Sequence, residues 1–345
     1  MDGCIQPKKI IHFVTIFLGG VDLRKVRWGI LSTAEIARTQ VIPAIIQAKN
    51  SEVAAISSSS GRGSETALEF GIPKLYNSYE ELLNDPEIDA VYIPLPNHLH
   101  KHWVIEAAKK GKHVLCEKPA ALNAEDATEM VNVCRENNVK FMEAFMYQFH
   151  PQHQRVKEII ASGKIGEVKL MRSSFSFLLE QKDGNIRMDN EKGGGSLYDI
   201  GSYCIHAIRF ILDSEPVAVE VHGEMDSNTG VDLSAVCVLK LENGAKAIFD
   251  CSFDMAFRNE YEIIGTKGRI IVPRAFRPDI NGGEGIIIVQ NDSVETMERI
   301  HGYLYLTEIE HFSNAILEDS PIMYTGESII KNMRVIDACY QALIN

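Results

Sequence analysis

The 345-residue sequence predicts an α/β fold in two parts: a parallel sheet built from βαβ units, then an α+β domain with a mostly antiparallel open sheet. Three observations predict it. Up to about residue 147, short apolar runs alternate with stretches of helical spacing. After about Pro151, strand-like runs follow one another through short turns such as Glu242-Asn243-Gly244, which is hairpin patterning. The length also fits, because domains of roughly 100–200 residues give two here.

The elements follow in order. Val26–Leu31 (VRWGIL) is a short apolar run suited to a buried strand, and Ser32–Ala37 turns it into a helical stretch reaching about Gln47. Glu52–Ser57 reads as a second strand and Ser58–Gly63 as a loop. Ser78 and Glu81 have capping-box spacing, so a helix starts there and stops near Asp85-Pro86. Ala90–Pro94 is another buried strand, His100–Lys110 a helix closed by Gly111, and His113–Cys116 a strand ending at Glu117-Lys118-Pro119. Asn123 caps the next helix, whose Ala127, Met130, Val131 and Cys134 share one face, and Lys140–Ala144 is a further strand. Beyond Pro151, Gly166–Phe175, Val217–Gly223, Ser234–Leu241, Ala245–Phe253, Tyr261–Ile264, Arg269–Val272 and Ile286–Val289 read as strands. Helices are expected at Ser202–Leu212, Leu306–Leu317 and Glu327–Leu343.

Composition narrows the function. Hydrophobic residues at 45% and charged residues at 24% are an ordinary globular mixture, so neither disulfides nor a metal is needed for folding. Lys plus Arg is 35 against 47 for Asp plus Glu, a net charge of −12, which argues against nucleic acid while leaving room for a local phosphate pocket. The seven cysteines are odd in number and contain no CxxC pair, so a reducing cytoplasm is the expected compartment. No apolar run reaches the roughly 18 residues of a spanning helix. Lys8-Lys9 before Ile10–Leu18 resembles a short signal peptide, but no A-x-A-like site follows. Residues 1–25 are therefore read as a loose extension, or as upstream sequence translated from a misassigned start.

The candidate chemistry recurs at the carboxyl ends of the predicted strands, where ligands of parallel sheets bind. A dinucleotide site wants G-x-G-x-x-G at the first turn, and this chain offers Ser32-Thr33-Ala34-Glu35-Ile36-Ala37, small at all three positions but without glycine. A helix N-terminus still holds phosphate through its free N–H groups, and the Ser32 and Thr33 hydroxyls add donors. After the second strand come Ser57, Ser58, Ser59, Ser60, Gly61 and Arg62. With no carboxylate to take a ribose hydroxyl, these suit a 2′-phosphate, hence NADP, with NAD as the alternative; a plain flexible loop also fits them. Pro94, Leu95 and Asn97 follow the next strand. His98, His100 and His102 alternate, but His100 would point away from the other two, so they read as a loop lining a nucleotide pocket and no metal site is expected. Glu117-Lys118-Pro119 places a lysine at a strand end, where it either meets a substrate oxygen or is solvated. Gly193-Gly194-Gly195 allows close backbone approach, and Asp199 and Tyr203, four apart, share a helical face. They suit orientation and proton transfer, or a cap and a core residue.

Together these residues resemble the glucose–fructose oxidoreductase/inositol dehydrogenase (Gfo/Idh/MocA) family, from about Val26 to the C-terminus. The carriers are Gly111–Pro119 (GKHVLCEKP), Gly193–Gly195 with Asp199-x-x-x-Tyr203, and Met142–Pro151 (MEAFMYQFHP). The resemblance implies a Rossmann NAD(P)-binding domain over 26–147 and a substrate and oligomerisation domain over 148–345. It implies cofactor contacts from Ser32, Thr33, Ala34, Ile36, Ser58, Ser59 and Arg62, and from Pro94, Leu95, Asn97, His100, Glu117 and Lys118. Tyr203 resembles the branch of NADP-dependent xylose dehydrogenases, dimeric dihydrodiol dehydrogenases and sugar 3-ketoreductases, where inositol dehydrogenases carry His. It implies hydride transfer between nicotinamide and a sugar or polyol carbon, of aldose 1-dehydrogenase type. The alternatives are a 3-ketoreductase of a nucleotide-activated keto sugar, a trans-dihydrodiol dehydrogenase, or a non-catalytic NAD(P)-sensing regulator.

In that reading Tyr203 moves the hydroxyl proton, Lys118 polarises the oxygen and lowers the tyrosine pKa, Asp199 orients the substrate, and His206 lines the sugar pocket or packs in the core. A homodimer or homotetramer is expected, with no nucleic-acid or membrane partner. Two departures stand out: the fingerprint glycines are absent, and Gln148 occupies a place where Arg is common.

Overall fold

A computed structural model describes residues 24–59, 61–292 and 294–344; the N-terminal extension apart from Arg24 and Lys25 lies outside the described residues. β1 (Val26–Leu31) is buried along almost its whole length, as a run of apolar residues with no polar alternation requires. A helical stretch follows, with Ala37–Val41 wound as a π-turn that continues into α1 (Ile42–Gln47). Then come β2 (Ser51–Ser57), α2 (Gly63–Phe70), β3 (Lys74–Tyr76), α3 (Tyr79–Leu83), β4 (Ala90–Ile93), α4 (Asn97–Lys109), β5 (His113–Cys116), α5 (Ala124–Glu136) and β6 (Phe141–Glu143). The strands pair in the order β3-β2-β1-β4-β5-β6, all parallel. The strand order reverses between β1 and β4, which opens a crevice beyond their carboxyl ends.

Two predicted caps form as read. Ser78 Oγ accepts from Glu81 N at 3.2 Å and Asn123 Oδ1 from Asp126 N at 2.8 Å. Two elements of this domain carry too little pattern to be read. On α2, Leu68 is exposed and few apolar residues face inward; β3 is three residues long with no fully buried side chain. The expected histidine loop is instead the first turns of α4, because the helix starts three residues earlier, at Asn97.

The second half begins with α6 (Pro151–Ala161), capped by His150 Nδ1 accepting from Gln152 N at 3.2 Å. Its cap is not Ser, Thr, Asp or Asn, so Pro151 at the first helical position is the signal that marks this start. After β7 (Val168–Leu178) and α7 (Ser202–Leu212) come β8 (Pro216–Met225), β9 (Asp232–Leu241), β10 (Lys246–Ser252), β11 (Asp254–Gly265), β12 (Gly268–Val272), β13 (Glu284–Asn291) and β14 (Val294–His301). The sheet order is β14-β13-β12-β11-β7-β10-β9-β8, antiparallel except for β7 with β10. β14, with charges on both faces, is an edge strand without an apolar alternation to predict it. One sheet face carries α7, and on the other Val236 and Val238 of β9 are exposed.

The last helices, α8 (Leu304–Leu317) and α9 (Gly326–Ile344), return to the first domain. Trp28 Nε1 of β1 donates to Ser313 Oγ of α8 at 3.2 Å, and Asp337 of α9 accepts from Ala124 N at 2.8 Å. α8 also reaches the crevice, through Tyr305 near its start.

Candidate active site

A cavity of about 590 Å³ lies beyond the parallel strands. Ser32, Ala34 and Ile36 line it from the first turn, Pro94, Leu95 and Asn97 from the segment after β4, and Glu117 and Lys118 from the end of β5. Asp199 and Tyr203 close it from the second domain. Strand-end residues of the parallel sheet thus border one cavity together with Asp199 and Tyr203 of the second half. Thr33, Ser58, Ser59, Arg62, His100 and His206 do not line this cavity. Thr33 Oγ1 and Ser58 Oγ are hydrogen-bonded at 3.1 Å, and Ser59 and Arg62 are exposed at the end of β2.

The first turn accounts for its missing glycine. Ser32 has φ 139°, a conformation that glycine adopts freely and serine rarely. Its Oγ accepts from Ala34 N at 3.1 Å, which offsets part of the strain. The turn leads into the helix that faces the cavity, whose first N–H groups have no intrahelical partner. The small residue at 34 leaves the backbone approachable, and Ala37 is buried in the core. These residues fit a dinucleotide, with the helix start for the pyrophosphate and the Ser58–Arg62 loop for the adenosine end.

Lys118 is fixed by its neighbours. Glu117 Oε1 accepts from Tyr92 Oη at 2.6 Å, and Glu143 Oε1 accepts from Ala120 N at 2.8 Å, pinning the segment on either side of the cis Lys118–Pro119 bond. His100 lies behind this turn rather than on the cofactor side. Its ring nitrogens face Pro119 O at 2.9 Å and Leu95 O at 2.8 Å, tying two cavity-lining segments together. Burial pushes its pKa down to about 4.

Lys118 Nζ donates to Asp199 Oδ1 at 2.7 Å and to Asp199 O at 2.9 Å, and sits 5.1 Å from the centroid of the Tyr203 ring. Arg187 Nε donates to the other Asp199 oxygen at 2.6 Å. Burial alone would raise the Asp199 pKa, but the ammonium and guanidinium overcome it and hold the carboxyl well below its ordinary range. Asp199 lies in a π-turn, Leu197–Gly201, that leads into α7. Asp232 of β9 anchors this start by accepting from Leu197 N and Ser196 Oγ, both at 2.7 Å, and from Tyr340 Oη at 2.8 Å. Gly195, at φ 116°, passes so close that a Cβ there would lie 2.1 Å from Asp232 Oδ1.

Tyr203 is 6% exposed and packs edge-on against Phe145 and Phe175. Its hydroxyl donates to Met146 Sδ at 3.4 Å. The expectation that Lys118 lowers its pKa is not met. Burial, reinforced by the charge of Glu117, pushes the phenol up, and only Arg277 at the cavity wall acts noticeably the other way. The ammonium lies over the ring, and its charge is matched by Asp199. His206, one turn further, stacks on Phe145 at 4.4 Å, and its Nδ1 is 2.5 Å from Tyr147 Oη. It belongs to the aromatic core behind Tyr203 and not to the pocket wall. Gln148 is also buried rather than presented to the cavity.

The cavity wall also contains residues that the sequence does not single out, among them Met146, Arg187, Arg277 and Tyr305. Arg277 is held by Asp279, Nε to Oδ1 at 3.0 Å and Nη2 to Oδ2 at 2.9 Å. Met146 sits in the Met142–Pro151 motif, and Arg187 is close to the glycine run; Arg277 and Tyr305 carry no such signal. Among the described residues, no group of His, Cys, Asp and Glu is arranged to hold a metal, and no helix is long and apolar enough to cross a membrane.

Comparison with known proteins finds matches in both halves of the chain. Residues 26–145 match the oxidoreductase family with an NAD-binding Rossmann fold, and residues 153–271 match the GFO/IDH/MocA C-terminal domain. An NADP(+)-dependent D-xylose 1-dehydrogenase of Haloferax volcanii is 39% identical over 316 residues, 91% of this chain and 96% of that one. A trans-1,2-dihydrobenzene-1,2-diol dehydrogenase of Xenopus laevis is 33% identical over 315 residues, 88% and 93% of the two chains. The crystal structure of KijD10, a 3-ketoreductase from Actinomadura kijaniata in complex with NADP and TDP-benzene, superposes with a TM-score of 0.87 at 29% identity, covering 93% of this chain and 98% of that one.

Proposed function

This chain belongs to the Gfo/Idh/MocA oxidoreductase family, and from that membership we propose that it is an NADP-preferring sugar dehydrogenase of the aldose 1-dehydrogenase type. The observation that carries the reading is the Lys118–Asp199 pair set against Tyr203 on the cavity wall. Bound NADP+ would supply the hydride acceptor. The first turn would hold its pyrophosphate, and Ser58, Ser59 and Arg62 its 2′-phosphate.

The residues of the chain divide the remaining work. Asp199 keeps the Lys118 ammonium at one place, so the lysine donates to the sugar oxygen without reorganising. Tyr203 exchanges the hydroxyl proton. Because burial keeps its phenol protonated, the resting protein is ready to donate that proton in the reductive direction, and oxidation requires the proton to leave first. Arg187 and Arg277 border the same space and orient sugar hydroxyls. The exposed apolar residues Val236 and Val238 on the open sheet face support a homodimer or homotetramer, and the cysteine pattern a cytoplasmic setting.

An NADP+/NADPH activity screen across aldoses, inositols, trans-diols and nucleotide-activated keto sugars tests the reading. Turnover of an aldose with NADP+ is expected. Turnover confined to diols or to keto sugars replaces the substrate assignment, and cofactor binding without any turnover points to the sensing role.

A further inference from the structure

The catalytic cavity does not end at Tyr305. That residue, with Thr39 and Gln40, also walls a second groove of about 280 Å³. One side of this groove is α1, through Pro43, Ala44 and Gln47. The other is made of the crossing segments around Gly283 and Gly302, with Tyr303 at the rim. The rim is firmly built. Gly302 N donates to Gly283 O at 3.0 Å, Gly283 N to Pro278 O at 3.0 Å, and His150 Nε2 lies 3.0 Å from Gly283 O. A Cβ on Gly283 would meet Gly302 O at 2.5 Å, so the crossing admits no side chain there. Tyr303, by contrast, is 72% exposed and lies outside the catalytic cavity.

We propose that this groove is a subsite for a second, uncharged sugar ring joined to the reacting aldose, so that the preferred substrate is a reducing disaccharide or longer oligosaccharide. The inference rests on the sugar-dehydrogenase reading and narrows its substrate class. Three features select this ligand. The groove shares Thr39, Gln40 and Tyr305 with the catalytic cavity, so a ring joined to the reacting sugar can reach it. At about 280 Å³, against roughly 30 Å³ for a water, it suits one ring and not a nucleotide. Its lining contains no Lys or Arg, and its one charged residue, Asp279, is already paired with Arg277. A diphosphate would meet a carboxylate with no spare cation, which is costly, whereas a neutral sugar meets Gln40, Gln47 and backbone carbonyls. An exposed tyrosine beside small and apolar residues is a stacking surface for the C–H face of a pyranose.

The test measures kcat/KM with NADP+ for D-xylose and xylobiose, in the wild type and in Tyr303→Ala. Wild type is expected to prefer xylobiose. Tyr303→Ala is expected to lower kcat/KM for xylobiose about tenfold while changing xylose less than about twofold. Equal effects on both sugars, or a wild type that prefers xylose with no response to the variant, overturn the proposal. Calorimetric titration of xylobiose onto the NADPH complex separates this failure from failure of the function itself. Binding that weakens in Tyr303→Ala supports the subsite even where neither sugar is turned over, and no difference in binding overturns it. Competition by dTDP-glucose that is relieved in Tyr303→Ala overturns the uncharged-ligand assignment.

Discussion

Lys118 and Asp199 are 81 residues apart in sequence, lie in different domains, and meet at 2.7 Å. The pair joins the end of β5 to the start of α7, so the site exists only when both domains are folded together. Removing the ammonium by Lys118→Met should lower kcat/KM about a thousandfold, the size of a lost oxyanion-type donor. NADPH affinity, read by quenching of protein fluorescence, should stay within about threefold. Asp199→Asn leaves Lys118 and Arg187 without their shared counter-charge and should lower kcat/KM about a hundredfold. Full activity in both variants would remove the pair from the mechanism.

Tyr203 gives a pH signature. Its pKa is raised by burial above the ordinary tyrosine value of about 10. The protonated form therefore persists across the accessible range. Sugar oxidation, which needs the proton gone, should accelerate with rising pH and show no plateau below about pH 10. Reduction should stay flat over the same range. Tyr203→Phe should cost about a hundredfold or more in both directions and abolish the slope. An oxidation profile that levels off near neutrality would assign the proton to another group.

Much of this arrangement is legible in the sequence because it is local. Glu117-Lys118-Pro119 ends a buried strand, and Asp199 and Tyr203 share a helical face, so residue type and spacing mark them as candidates and the family resemblance selects their roles. Arg187, Arg277 and Tyr305 reach the same cavity from a short helical turn, a loop and the start of α8. Nothing in their local pattern encodes which wall they face. The misreading of Tyr203 has a similar origin. The neighbouring ammonium was foreseeable, but its position over the ring rather than at the hydroxyl depends on Phe145, Phe175 and Met146, which set the ring's tilt. His206 has the spacing of a pocket residue and is diverted by stacking on Phe145.

Glu143 couples stability to pH. Burial raises its pKa to about 8, against 4.5 ordinarily, although Ala120 N donates to it. The folded state therefore keeps a proton that the unfolded state releases above 4.5, so this group's contribution is fully present below 4.5 and is lost as pH rises towards 8. Glu143→Gln keeps the acceptor for Ala120 N and has no charge to bury. Its melting temperature should exceed that of the wild type at pH 8, by about 2 °C or more, and match it near pH 5. A difference that does not change with pH would mean that Glu143 is ionised in the folded protein.

Two small residues in unusual conformations should behave oppositely. At Gly195, alanine would combine φ 116° with a contact 2.1 Å from Asp232 Oδ1, breaking the anchor of α7. Gly195→Ala should cost about 4 kcal/mol or more, in the class of severe substitutions. At Ser32, glycine relieves strain of about 1–3 kcal/mol, but loses a hydrogen bond worth about 1 kcal/mol and adds chain entropy of about 0.5–1 kcal/mol. Ser32→Gly should therefore melt within about 4 °C of the wild type. Thermal unfolding of both variants checks the contrast.

In the proposed reading, cofactor preference rests on Arg62. The residue is exposed at the head of α2, where its carbonyl accepts from Thr66 N at 3.1 Å, so the helix fixes its backbone and leaves its guanidinium to the solvent side of the β2 end. The described residues between Ser57 and Arg62 include no carboxylate, and Ser58 is held against the first turn by Thr33. A 2′-phosphate placed there gains a charge-assisted bond that a 2′-hydroxyl does not, worth about 1.5–3 kcal/mol. Arg62→Ala should accordingly lower kcat/KM with NADP+ by about 10- to 100-fold and leave the value with NAD+ nearly unchanged. The ratio of the two is the decisive measurement, since a general loss of folding or of active-site geometry lowers both together. A ratio unaffected by the substitution would move the 2′-phosphate away from this loop.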